Sequence, residues 1–175
     1  MKKVWYLLLA VCLVACEGTP GFEKALEVEP QVESDYVDLG LKSGTKWKKT
    51  NEVAKEKGTE AEVEFFTYNQ AIKYYGANVP TKEQWEELFN SCQWTWDDTK
   101  KGYDIVGPNG KSIFLPAKGW IHETEGLIDV GQDCTYWTAT AYDKDYAWYM
   151  YAKPQKEFSW NDRTWPCTLI LVWKK

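Results

Sequence analysis

The sequence predicts an α+β domain: strands first, then two helices, then strands to the end of the chain. Three observations carry this. "YVDLGLKSGTKW", Tyr36 to Trp47, sets Val37, Leu39 and Leu41 against Tyr36, Asp38 and Gly40, the two-residue period of a strand with one buried face. "TYNQAIKYYG" from Thr67 and "TKEQWEELFNSC" from Thr81 each place Thr three residues ahead of Gln, the capping box that opens a helix. Beyond them the chain carries only strand signals, and 175 residues suffice for a single domain.

The first stretch is an address rather than a fold element. "MKKVWYLLLAVCLVACEG" has Lys2 and Lys3 ahead of an apolar run from Val4 to Ala15. As a helix that run rises about 18 Å, short of a bilayer core of about 30 Å, so it reads as a signal peptide over residues 1–15 and not as a spanning helix. "LVA" followed directly by Cys16 resembles the bacterial lipobox, whose cysteine is lipidated and becomes the first residue. Several acyl chains at about 0.8 kcal/mol per buried methylene make a stable anchor. Glu17 stands where Asp would retain an enteric lipoprotein in the inner membrane, so the expected location is the outer membrane, with display at the cell surface. Residues 16–35, acidic and with two prolines, read as the lipidated cysteine and a flexible tether.

The elements of residues 36–175 follow in order. "KSG" turns the first strand towards a return at "TKW", and residues 48–64 are charged and weakly patterned, a loop or a solvated helix. Gly76 suits the stop of the first helix. In the second, Trp85, Leu88, Phe89 and Cys92 share one apolar face, so Cys92 is expected to be a buried thiol. "YDIVGPNGKSIFL" reads as a hairpin about "PNG", and residues 116–133 as a Gly-containing loop. In "YWTATAYDKDYAWYMYA", Tyr136 to Ala152, seven of seventeen residues are aromatic. "DKD" is its turn. Trp148, Met150 and Ala152 face one way, and Ala147, Tyr149 and Tyr151 the other, so part of the aromatic load is core and part is amphipathic surface.

Composition excludes some function classes. A net charge of −5, more negative still once Lys2 and Lys3 leave with the leader, argues against nucleic acid, which needs a basic surplus or patch. His122 is the sole histidine, which limits zinc sites and Ser-His-Asp triads to one candidate base. No Gly-rich phosphate loop follows a strand and opens a helix. Adjacent acid pairs such as Asp97–Asp98 and Glu86–Glu87 point apart and do not make an acid/base pair. The expected class is non-enzymatic.

"YVDLGLKSGTKW", "VPTKEQWEEL", "GPNGKSIFLPAKGW" and "YWTAT" resemble the FISUMP-type lipoproteins of Bacteroidota, the Fibrobacter major paralogous domain group, over residues 36–175. The resemblance implies a C-type lectin-like fold, close to that of formylglycine-generating enzymes, with two helices on a small, twisted, mostly antiparallel sheet and long loops. The chain departs from the family pattern after Trp47, where a Cys-Asn-Val-Gly run is missing, and at its end, which reads "CTLILVW".

Four cysteines follow the leader. With Cys16 lipidated and the compartment oxidising, Cys134 and Cys167, each opening a late strand, are the expected disulfide; three unpaired thiols are the alternative. The same pair is too far apart in sequence for the closely spaced cysteines of the related oxidases, which argues against the alternative of a thiol-dependent oxidase. Trp160-Asn161-Asp162 is similar to the calcium element of true C-type lectins, which makes Asn161 and Asp162 weak calcium candidates; a loop set of His122, Glu123, Glu125 and Asp129 is the fuller one. Lys153 stands where an acid would be wanted. No cofactor is otherwise expected. Tyr149, Tyr151, Lys153, Trp160 and Trp165 are the candidate contact residues for a glycan or protein ligand, since exposed Tyr and Trp suit recognition. The expected role is a binding or adhesion module on a lipid anchor, with a structural subunit of an envelope or fimbrial assembly as the alternative; the sequence leaves the oligomeric state open.

Overall fold

Both helices form where the capping boxes place them. The computed structural model describes residues 25–153 and 155–173; Cys16 and the leader lie outside them. In chain order the elements are β1 (Leu26–Glu27), β2 (Tyr36–Asp38), β3 (Lys46–Lys48), β4 (Ala54–Glu56), β5 (Glu62–Val63), α1 (Tyr68–Tyr75), α2 (Lys82–Ser91), β6 (Gln93–Asp97), β7 (Gly102–Val106), β8 (Ser112–Pro116), β9 (Trp120–His122), β10 (Gly126–Ile128), β11 (Cys134–Ala141), β12 (Tyr146–Lys153), β13 (Gln155–Asp162) and β14 (Val172–Trp173). Thr67 and Thr81 each accept from the backbone N–H three residues on, and Gln70 and Gln84 return the bond. Each box satisfies N–H groups that a helix start leaves orphaned. Gly76 ends α1 at a φ of 48°, which a side chain would resist.

The architecture is α+β, with the strands in several small antiparallel sheets: β1-β4-β5, β14-β3-β2, β6-β7-β8, β10-β9 and β11-β12-β13. Three expectations change. Residues 25–35, read as tether, join the fold: β1 pairs with β4 and Leu26 is buried. The charged stretch 48–64 forms β4 and β5, pinned by Lys57 N–H to Ala25 O and by an ion pair between half-buried Lys48 and buried Glu52. The loop 116–133 contains the β9–β10 hairpin. All three segments form very short strands, for which alternation gives almost no signal.

Two apolar clusters fill the interior, and β11 lies between them. Cys134 and Tyr136 belong to one, with Trp47, Trp85, Leu88 and Met150; Trp137 belongs to the other, with Phe66, Tyr68 and Ala71. The C-terminal segment does the same, Ile170 and Val172 turning to the first cluster and Leu169 and Leu171 to the second. Burial on both faces is why "CTLILVW" is continuously apolar instead of alternating. Thr138 shares the buried face of Tyr136 beside a register irregularity between Trp137 and Ala141, and its hydroxyl donates to Trp148 O at 2.9 Å.

The same layering overturns the expected disulfide. Cys134 and Cys167 are both free, fully buried thiols in different clusters. Cys134 Sγ donates to Leu115 O at 3.5 Å, and Cys167 exchanges backbone hydrogen bonds with Phe66. Cys92 is free too, and half-buried where full burial was expected, because it caps α2 instead of continuing its apolar face. Burial pushes its thiol up to about 11 and that of Cys134 up to about 12, with Cys167 well above the ordinary thiol value. Maleimide is therefore expected to label Cys92 slowly in the native protein and all three thiols in urea without reductant. Protection of Cys134 and Cys167 in urea would restore the disulfide.

Candidate functional site

The odd-numbered face of the β11-β12-β13 sheet runs past the second cluster into a cleft. Thr135, Tyr149, Tyr151 and Asn161 form its base, as the register dictates: Thr135 opposite Tyr151, Tyr149 opposite Ser159. Trp165 from the last loop and Trp120 from β9 close the sides, and Asp129 and Asp133 stand at the two ends of the β10–β11 connection. The cavity measures about 280 Å³.

Its walls are fixed before any ligand arrives. Trp120 and Trp165 meet with ring centroids 5.6 Å apart, and Trp165 rests on Tyr149 at 5.1 Å and on Trp137 at 6.0 Å. Both indoles are tied by their N–H groups, Trp120 to Asp129 Oδ2 at 3.1 Å and Trp165 to Ile121 O at 3.0 Å. The acidic loop is braced through its backbone: Gly119 N–H donates to Asp133 O, Gly131 N–H to Ala117 O, and Gln132 and Asp133 N–H both to Asp129 O. Gly119 is required there. Its φ is +73°, and a Cβ on it would meet Ile128 O at 2.1 Å. Asp129 itself holds a φ of 56°, a left-handed conformation that Asp tolerates better than most residues.

The electrostatics are those of two acids sharing one cation. Lys153 Nζ lies 3.2 Å from Asp133 Oδ1 and 3.6 Å from Asp129 Oδ1. Asp133 is 6% exposed, and burial raises its pKa while Lys153 opposes the rise. Asp133 in turn raises the pKa of Lys153. The trio carries one net negative charge beside four aromatic rings, an arrangement that offers ring faces to C–H groups and oxygen acceptors to hydroxyl or amine donors.

Of the five contact candidates, the structure brings Tyr149, Tyr151 and Trp165 together in the cleft and puts Lys153 at its acidic end. Trp160 is elsewhere. It pairs with Trp148, and adjacent strand residues point to opposite faces, so it projects from the side opposite Tyr149 and Tyr151. Trp120, Asp133 and Thr135 were not anticipated as site residues. Trp120 had a signal, as the end of "LPAKGW"; Asp133 and Thr135, beside Cys134, had none.

The calcium candidates do not form a ligand set. Asp162 Oδ1 accepts from Thr164 N–H at 2.8 Å and from its hydroxyl at 2.6 Å, bonds that lower the Asp162 pKa, and the Asn161 side chain accepts from Asp162 N–H. His122 Nδ1 faces the backbone N–H groups of Thr124 and Glu125 in the β9–β10 turn, and Asp129 is engaged by Trp120 and Lys153. Among the described residues no group of three or more His, Cys, Asp or Glu is placed to hold a metal ion. No family model matches the chain, and no curated protein or solved structure matches it.

Proposed function

We propose that this chain is a non-enzymatic binding module, held at the outer membrane by lipid on Cys16 and presenting a C-type lectin-like domain that captures a glycan or protein ligand in the aromatic cleft. The carrying observation is the convergence of Trp120, Trp165, Tyr149 and Tyr151 with Asp129 and Asp133 on walls already tied in place. Preorganisation of this kind lowers the ordering cost of binding. The cavity, about 280 Å³, falls just below the usual range of ligand sites, about 300 to 1,000 Å³, so it fits one terminal sugar or one large side chain of a longer partner. The buried, raised-pKa thiols of Cys134 and Cys167 support the non-catalytic reading, since the thiolate is the reactive form.

The test applies the full-length protein in nanodiscs to a glycan array, alongside crosslinking in cells. A glycan hit or a crosslinked partner is expected, weakened about 10-fold or more by Tyr151→Ala and by Asp129→Asn, with melting temperature held. Asn keeps the left-handed backbone at position 129 and removes the charge together with one of the two acceptor oxygens, the other remaining for the Trp120 N–H. Binding unaffected by either variant places the ligand site outside the cleft. A single stoichiometric protein partner with no glycan hit favours the assembly-subunit role.

A further inference from the structure

The far end of the same sheet carries a second aromatic group on the opposite face. Tyr142, just past β11, and Trp160 on β13 lie nearly parallel, centroids 5.1 Å apart and planes 18° from each other. Tyr146 meets Trp160 edge-on at 5.2 Å, and Trp148 meets Tyr142 edge-on at 5.2 Å. Tyr142 is 48% and Trp160 46% exposed, and no other aromatic side chain among the described residues is as open. The rings are supported from behind: Lys82 Nζ sits 4.2 Å over Trp148 and is paired with Glu86.

We infer that the Tyr142–Trp160 pair is a second contact surface, on which the apolar face of a neutral pyranose ring stacks. It stands apart from the cleft and does not depend on it. Size argues against a folded partner. Two half-exposed rings offer about 200 Å² between them, whereas a stable protein interface needs about 800 Å² per partner. Geometry argues against a proline-rich peptide, because the rings are already in contact and leave no slot between them. Charge argues against phosphate-bearing ligands. The rim holds Asp143, Asp145 and Asp162 against Lys144 and Arg163, an excess of one acid; Lys144 pairs with Asp145 at 3.3 Å, and Arg163 donates to Asp143 O. An uncharged ligand with a flat C–H face suits an outward ring face of this stacked pair, on a rim that carries no cationic surplus.

The experiment titrates the full-length protein in nanodiscs with cellohexaose, mannohexaose, xylohexaose, maltohexaose and chitohexaose, read by saturation-transfer NMR. At least one is expected to bind, with affinity reduced about 10-fold or more by Trp160→Ala and by Tyr142→Ala. Trp160→Phe is expected to keep most of the affinity, and the cleft variant Tyr151→Ala all of it. The inference is overturned if none of the five binds, if Trp160→Ala binds as tightly as the parent, or if Tyr151→Ala alone removes binding. It is equally overturned if Trp160→Ala abolishes association with phosphatidylglycerol vesicles while leaving saccharide binding intact.

Discussion

Trp137→Ala is expected to lower the unfolding free energy by about 4 kcal/mol, the largest effect of any substitution considered for this chain. The indole is fully buried and is the point where the second cluster meets the cleft. It touches Tyr68 at 5.7 Å, Tyr149 at 6.2 Å and Trp165 at 6.0 Å, and its N–H donates to Phe66 O at 2.8 Å. Removing it leaves a cavity bounded by β11, whose other face already packs on the first cluster, so the strand has little freedom to collapse inward. Against a typical total of about 5–15 kcal/mol, the loss is a large fraction of the whole. Trp137→Phe is expected to cost much less, about 1–2 kcal/mol: Phe fills most of the space, and Phe66 O keeps the bond from Cys167 N–H. Urea unfolding followed by far-UV circular dichroism checks both. A loss under about 1 kcal/mol for the alanine variant would show that the two clusters do not bear on this residue.

The second large effect is pH-dependent. Lys153→Met leaves Asp133 buried without its cation, which is expected to cost about 2 kcal/mol at neutral pH. The figure is below that for a fully buried pair because the Lys153 side chain is 39% exposed and water screens its contribution. The sign follows from Asp133. Burial raises its folded pKa above the ordinary 3.8, so the folded state binds a proton more readily than the unfolded chain. Its contribution to stability is therefore fully present below 3.8 and is lost as pH rises through the raised folded value. Losing Lys153 raises that value further and deepens the loss at neutral pH. On acidification Asp133 becomes uncharged, and the deficit of the variant is expected to shrink towards zero near pH 4, at about the unfolded carboxyl value. Melting temperatures of parent and variant across that range supply the comparison. An equal deficit at both ends would mean that the aliphatic stem of Lys153, not its charge, is what matters.

What the sequence made legible follows the length of its signals. Both helices came from Thr-x-x-Gln spacing, and the β7–β8 hairpin from "PNG", each set by contacts within a few residues. The alternation of Tyr149 and Tyr151 with Met150 located part of the base of the cleft. The rest depended on contacts far apart in the chain. Asp133 belongs to the site only because β12 brings Lys153 beside it, and Trp120 only because its hairpin packs on Trp165. Trp160 was grouped with Tyr151 by proximity in sequence, but β13 pairs so that Glu157, not Trp160, lies opposite Tyr151. Cys134 and Cys167 both open late strand segments, yet the layering that buries each on a different side is invisible in their spacing.

Hydroxyl-radical footprinting of the protein in intact cells, set against the purified protein, asks whether the cleft is occupied where the protein works. Slower oxidation in cells is expected at Trp120, Tyr151 and Trp165, with exposed Leu127 and Val130, outside the cleft lining, reacting equally in both. Equal rates at the three cleft residues in cells and in purified form would contradict a ligand-binding role for this site.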